Sequence, residues 1–261
     1  MGGVMIELEN VSLAFNGNYV LRNVNLTIEN GKTTVILGPS GAGKSTIIKV
    51  IVGLLKPENG SVKIDGVNIV GLSDNELFPL RTKMAVVFQG NALFDSLNVE
   101  ENVAYFLNEH HALSPAETRE RVKECLSFVN LDGTENKYPE ELSGGMKKRV
   151  AIARAIAFHP DIILYDEPTT GLDPVNSEVI IEMINKIQER GATSVVVTHI
   201  IKDAIAVGDK FAVIEDGKIK ESGSIDSLLE EEDGANSEFL SEIKAEANLY
   251  NKVLSKREEK V

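Results

Sequence analysis

The chain has 261 residues, 43% of them hydrophobic, with 27 Lys plus Arg against 40 Asp plus Glu and a formal net charge of −13. That apolar content can bury a substantial core and excludes extended disorder, and the negative charge opposes a polyphosphate backbone, so no nucleic-acid partner is expected. The single cysteine, Cys125, excludes an intramolecular disulfide, fits a reducing compartment and is read as a buried, inert thiol.

The opening "MGGVMIELEN" has no basic region followed by a long apolar stretch, and Ile6 breaks the myristoylation pattern. No uninterrupted apolar run approaches the ~20 residues that span a bilayer, so a cytosolic chain is expected, touching membrane only through a partner. Ile6, Leu8, Leu21, Val24, Leu26 and Ile28 alternate with polar positions around "NGN", which predicts two antiparallel strands. "TTVILG" reads as a buried strand, and "STIIKVIVGLL" continues with Ile47, Ile48, Val50, Ile51, Leu54 and Leu55 as a helix. From about residue 90 to 158 strand runs are lacking and the stretch reads as an inserted helical subdomain. "DIILYDEP" and "ATSVVVTHI" have the β-branched character of parallel strands buried on both faces. Between them Ile180, Met183, Ile184 and Ile187 recur at helical spacing until Gly191, the order of a βαβ unit. "FAVIEDGKIKESG" predicts a hairpin at Asp216-Gly217. Residues 230–261 hold nine acidic and five basic side chains, with Phe239, Ile243, Ala247, Tyr250 and Leu254 spaced by three or four. This pattern fits an amphipathic helix packed on its own domain or docked on a partner. There is no fixed-period repeat and no low-complexity tract.

Between the buried strand and the first helix, "GPSGAGKST" satisfies the phosphate-loop pattern at Gly38, Gly43, Lys44 and Ser45, with Pro39, Ser40, Gly41, Ala42 and Thr46 completing the loop. Its glycines let backbone amides turn inward, the helix N-terminus adds positive potential, Lys44 reaches the outer phosphates and the Ser45 hydroxyl is a Mg2+ ligand. Adjacent carboxylates at a buried strand end need a cation to face; Asp166 would hold the Mg2+ shell while Glu167, on the other side of the backbone, polarises an attacking water. The fold class is therefore α/β, a P-loop NTPase core with a mixed, mainly parallel sheet flanked by helices, an N-terminal antiparallel β subdomain and an inserted α-helical subdomain. The expected divisions are 1–89, 90–158, 159–228 and the tail 229–261. "ELSGGMKKRVAIARA" looks like a second anion-cradling helix start, at Ser143, Gly144 and Gly145. Alone, His199 reads as structural and Gln89 carries no signal. The pair His110-His111 is a solvated loop rather than a metal site, because adjacent helical side chains point about 100° apart.

Taken in order, "GPSGAGKST", "FQ", "ELSGGMKKR", "ILYDEPTTGLDP" and "VTH" resemble the nucleotide-binding subunits of ABC transporters over residues 5–228. The resemblance implies an ATPase with ATP and Mg2+, whose catalytic set is Glu167, His199, Gln89 and Lys44 and whose metal set is Ser45, Gln89 and Asp166. It makes Gln89 a lever between Mg2+ and the transporter interface, Ser143 to Gly145 the signature loop, Asp173 part of the dimer-contacting loop and His199 the contact to the γ-phosphate. It places Phe15, with Tyr19 as the second choice, against the adenine. Met146 stands where the family usually has Gln, which puts a side-chain contact to nucleotide there in doubt. It also implies a homodimer in the ATP-bound state, two chains head to tail around two ATP molecules, and integral-membrane permease subunits docking on residues 89–106. There Leu93, Phe94, Val99, Val103, Tyr105 and Phe106 are candidates for an apolar groove, about half of them expected in the core. "ALFDSLNVEENVA", "LSGGM" and "LYDEPTTGLDP" are further similar to ATPases of the Mla/Mce type. That implies a phospholipid or other hydrophobic substrate, a lipid-binding Mce-domain partner and a location at the cytoplasmic face of the inner membrane. Two other readings stay open: a soluble ABC ATPase serving as an assembly factor of the iron-sulfur scaffold type, and a P-loop kinase, which leaves "ELSGGM" unexplained.

Overall fold

The computed structural model describes residues 3–110, 113–230, 239 and 241–246. In chain order come β1 (Val4–Phe15), β2 (Asn18–Glu29), β3 (Thr33–Leu37), α1 (Lys44–Ile51), β4 (Asn59–Ile64), β5 (Val67–Asn68), α2 (Asp74–Arg81) and β6 (Met84–Val87). Next are α3 (Val99–Glu109), α4 (Pro115–Phe128), a 3-10 turn (Pro139–Glu141), α5 (Gly144–Ile156), β7 (Ile162–Asp166) and α6 (Pro174–Glu189). The last are β8 (Thr193–Thr198), α7 (Ile201–Val207), β9 (Lys210–Glu215), β10 (Lys218–Gly223) and α8 (Ile225–Glu230). They form two compact units, Met1–Leu77 with Thr193–Val261, and Phe78–Ala192. The divisions read from the sequence fell at 89/90 and 158/159; the units part at 77/78 and 192/193.

In the first unit β1 and β2 are antiparallel, with Leu8 opposite Leu26 and Leu13 opposite Leu21. Asn16 and Gly17 both take positive φ (52° and 81°), the tight turn whose twist matches a hairpin. The apolar positions that alternate in the sequence, Ile6, Leu8, Leu21, Val24, Leu26 and Ile28, are all buried, and β4 and β5 extend this sheet. Strand β3 runs parallel to both β8 and β9, while β10 returns antiparallel to β9. Every residue of β3 and β8 is buried, as expected of β-branched runs without polar alternation. The β9–β10 hairpin turns at Asp216 and Gly217, both at positive φ (47° and 75°), and the Arg22 N–H donates to the Gly217 carbonyl at 2.7 Å. Ile243, in the tail, is fully buried within this unit. Ala247, Tyr250 and Leu254 lie outside the described residues.

In the second unit β6 and β7 are parallel, and β7 is buried throughout. Residues 90–158 are helical where they are regular, and α3, α4 and α5 pack together. Each starts as its sequence dictates: α3 with an Asn98/Glu101 capping box, α4 with a Ser114/Glu117 box and Pro115 in its first turn, α5 capped by Ser143. The far end of α5 is closed by Arg121, which donates to the Ile156 and Ala157 carbonyls at 2.6 and 3.0 Å. Cys125 is buried in α4, and burial pushes its thiol up to about 11, which makes it unreactive at neutral pH. His110 is not in a solvated loop. It is half-buried at the end of α3 and packs on Phe78, Phe106 and Phe158 with ring centroids 5.1 to 6.1 Å away.

Candidate nucleotide site

The first unit carries the phosphate loop. Strand β3 ends at Leu37, the chain turns through Gly38 to Gly43, and α1 begins at Lys44 without any side-chain cap. Gly43 has φ 107°, and a Cβ there would come within 3.0 Å of the Val20 carbonyl, so both backbone and space demand glycine. Uncapped helix-start amides make an anion site. Lys44 is buried, and its ammonium donates to the carbonyls of Gly38 at 2.7 Å and Pro39 at 3.0 Å. It thus lies across the loop, while Pro39, Ser40 and Gly41 are exposed and Ser45 and Thr46 half-buried. Beside the loop is an open cleft of about 910 Å³ whose walls include Tyr19, Arg22, Ser40, Gly41, Phe239 and Glu242. Phe15 ends β1 opposite Asn18, Tyr19 of β2 pairs with Ala14, and both rings are about half exposed. In the same unit His199 is exposed just beyond the end of β8.

The second unit carries the carboxylates and the signature turn. Asp166 ends β7, and Asp166 and Glu167 are 8% and 7% exposed. Glu167 takes φ 49° and accepts a hydrogen bond from the Thr170 hydroxyl at 2.8 Å, which fixes its carboxylate. Ser143 and Gly144 are exposed at the start of α5, where the Met146 N–H donates to Ser143 Oγ at 3.3 Å. Gly145 is buried, and a Cβ there would sit 2.5 Å from Asn176 Oδ1. Asn176 belongs to the first turn of α6, which Asp173 caps by accepting from the N–H groups of Val175 and Asn176. The Asn176 side-chain amide, and then the backbone amides, hold the Asp173 carboxyl below its usual range. The signature turn and the Asp173 loop are therefore built against each other. Gln89 is exposed two residues after β6, and its carbonyl accepts from the Lys148 ammonium at 2.9 Å.

The segment 89–106 divides into core and surface. Val99 and Val103 are fully buried, Leu93 and Tyr105 half-buried, and Phe94 and Phe106 exposed at 42% and 50%. Phe94 packs on Tyr105 at 4.5 Å, and Tyr105 meets Phe106 edge-on at 6.3 Å. Two polar side chains, one half-buried and one buried, hold this surface. Arg154 donates to the carbonyls of Asn91 and Ala92 at 3.0 and 2.7 Å and lies 5.9 Å from the Phe94 ring centroid. Asn102, fully buried, accepts from the Phe94 N–H and donates to the carbonyls of Phe94, Leu97 and Asn98.

The ABC transporter profile matches residues 21–170. The chain belongs to the ABC transporter family. Relatives include the intermembrane phospholipid transport system ATP-binding protein MlaF of Haemophilus influenzae, 39% identical over 237 residues, 90% of each chain. The probable ribonucleotide transport ATP-binding protein mkl of Mycobacterium bovis is 41% identical over 239 residues, 91% of this chain and 67% of that one. Among solved structures, the dimeric ATP-binding cassette MJ0796 in a post-hydrolysis state with ADP and Pi matches with TM-score 0.79 and 40% identity, over 84% of this chain and 98% of that one. The ABC chain is thus an ATPase with the P-loop fold the sequence implied.

Within each unit of this ABC ATPase the sequence-derived residues come together: the phosphate loop with Tyr19, and the signature turn with the Asp173 loop. Asn102 and Lys148 escaped the sequence reading. Each is a polar residue at a helix position that faces the core, and the signal available was a helix periodicity in which an apolar residue was due. Among the described residues no helix is long and apolar enough to cross a membrane.

Proposed function

We propose that two copies of this ABC ATPase close head to tail around two ATP molecules and drive a membrane permease that moves phospholipid or another hydrophobic substrate. The observation that carries this is the second cradle. One triphosphate has few oxygens, and the phosphate loop with Lys44 occupies one side of it; Ser143 and Gly144 open a second helix start to solvent, and the resemblance to ABC subunits assigns that turn to a second molecule's nucleotide. The residues present fit ATP with Mg2+. The uncapped start of α1 and the Lys44 ammonium suit phosphates. The hydroxyl of Ser45, the carboxylate of Asp166 and the amide of Gln89 are hard oxygen donors that would hold the ion. Held there, the ion would supply positive charge against the triphosphate. Glu167, held by Thr170, orients and polarises the attacking water, and His199 contacts the γ-phosphate. Hydrolysis removes the bridging phosphate and releases the pair.

Phe15 stacks on adenine, with Tyr19, a wall of the cleft, as the competing ring. Aromatic stacking on a base contributes roughly 1–3 kcal/mol, so Phe15→Ala should raise the ATP KM about ten-fold with kcat nearly unchanged. If Tyr19→Ala gives that effect and Phe15→Ala does not, the stacking role passes to Tyr19.

The exposed rings of Phe94 and Phe106 are the docking groove for the permease, since aromatic residues dominate interface cores. The MlaF relatives and the "ALFDSLNVEENVA" similarity support a lipid-type substrate, an Mce-domain partner and residence at the cytoplasmic face of the inner membrane through the permease. Purification from detergent extracts tests this. A multi-span membrane protein should follow the native chain and be lost with Phe106→Asp, while ATP binding persists. Equal recovery with both chains contradicts docking there.

A further inference from the structure

Lys148 is 2% exposed and among the largest fully buried side chains. It lies on α5 one turn after Gly144 and Gly145, on the same helix face. Its ammonium donates to the Gln89 carbonyl at 2.9 Å and the Phe88 carbonyl at 3.3 Å. Burial pushes it below the ordinary lysine range, against the pull of Asp166 and Glu167. An ammonium has three donors and tolerates burial only when they are satisfied. A cation so placed specifies a geometry: the helix that begins with the signature turn is tied to the backbone of the Gln89 turn, beside both carboxylates.

We propose that Lys148 is a positioning residue that couples the two ATP sites of a closed pair. The signature turn touches the mate's triphosphate, whereas Gln89, Asp166 and Glu167 serve the chain's own. Joining them through one buried ammonium makes loading of one site felt at the other. The inference rests on the paired-site reading above.

The test is ATPase rate against ATP concentration for the full-length native chain, Lys148→Met and Lys148→Gln, with thermal midpoint and ATP affinity measured on each. The native chain should show a Hill coefficient above 1. Lys148→Met, similar in length but without donors, should lower kcat about ten-fold and bring the Hill coefficient to 1, with ATP affinity within two-fold. Lys148→Gln keeps two N–H donors on a side chain one atom shorter and should retain more cooperativity than Lys148→Met. The proposal is overturned by cooperative hydrolysis in Lys148→Met, by equal loss in both variants, or by loss that tracks a fall in thermal midpoint. The paired-site reading is checked separately by the ATP-dependent mass of Glu167→Gln. If that mass doubles while Lys148→Met stays cooperative, only the coupling fails; a native Hill coefficient of 1 also removes the coupling.

Discussion

Glu167→Gln is expected to lower kcat by roughly 10² to 10⁴-fold, the range a positioned general base contributes, while ATP still binds. The substitution is nearly isosteric, and the amide oxygen can keep the hydrogen bond that Thr170 donates at 2.8 Å. Glu167 and Asp166 are adjacent, buried carboxylates, so neutralising one relieves like-charge repulsion and, in the opposite sense, weakens its attraction to the buried Lys148 ammonium. The two effects oppose each other, and the variant should fold about as well as the native chain. With the γ-phosphate uncut, the closed pair accumulates. Phosphate release and light scattering on the same sample check both halves, and a near-native rate removes Glu167 from its role.

Gly144→Asp should lower kcat about a hundred-fold with single-chain ATP binding unchanged within about two-fold. A Cβ at Gly144 meets nothing within 4 Å, and an acid in the first turn of a helix is mildly stabilising, by roughly 0.3–1 kcal/mol. Folding is therefore not at risk. In the proposed pair, the added carboxylate would instead occupy the cradle that meets the mate's triphosphate and repel it. Shifting a pair from mostly open to mostly closed takes about 5.5 kcal/mol of differential binding, and charge-assisted hydrogen bonds supply about 1.5–3 kcal/mol each. Losing a few of these on each side leaves too little to close. Gly144→Ala, with the same open space and no charge, should stay within a few-fold of native. An equal loss in the alanine variant assigns the effect to the backbone rather than to the anion.

Much of this is local chemistry and was readable in order. "GLDP" announces an N-cap aspartate followed by proline, and Asp173 caps α6 with Pro174 in its first turn. "TTVIL", "IILYD" and "TSVVVT" are strands buried at every position, so their lack of alternation was the signal. Strands β4 and β6 were missed because six residues with an exposed start, and four residues of which three are half-buried, give too short a pattern to register. Helix α2 was missed because Pro79 stands inside it. Within 89–106 the sequence put half the apolar residues in the core without saying which. Helix α3 decides it by placing Val99, Val103 and Leu107 on one buried face and leaving Phe106 off it. Lys148 and Asn102 stayed hidden for a deeper reason: both bond to backbone carbonyls, and a carbonyl has no residue identity for a pattern to mark.

The central claim is that ATP joins two chains through the phosphate loop of one and the Ser143–Gly145 turn of the other. The most direct measurement is the light-scattering mass of Glu167→Gln in ATP and in ADP, alone and combined with Gly144→Asp. The mass should double in ATP only, and the double variant should stay at the single-chain mass in both nucleotides. An ATP-dependent pair that forms equally well with Gly144→Asp, or a single-chain mass for Glu167→Gln in saturating ATP, contradicts it.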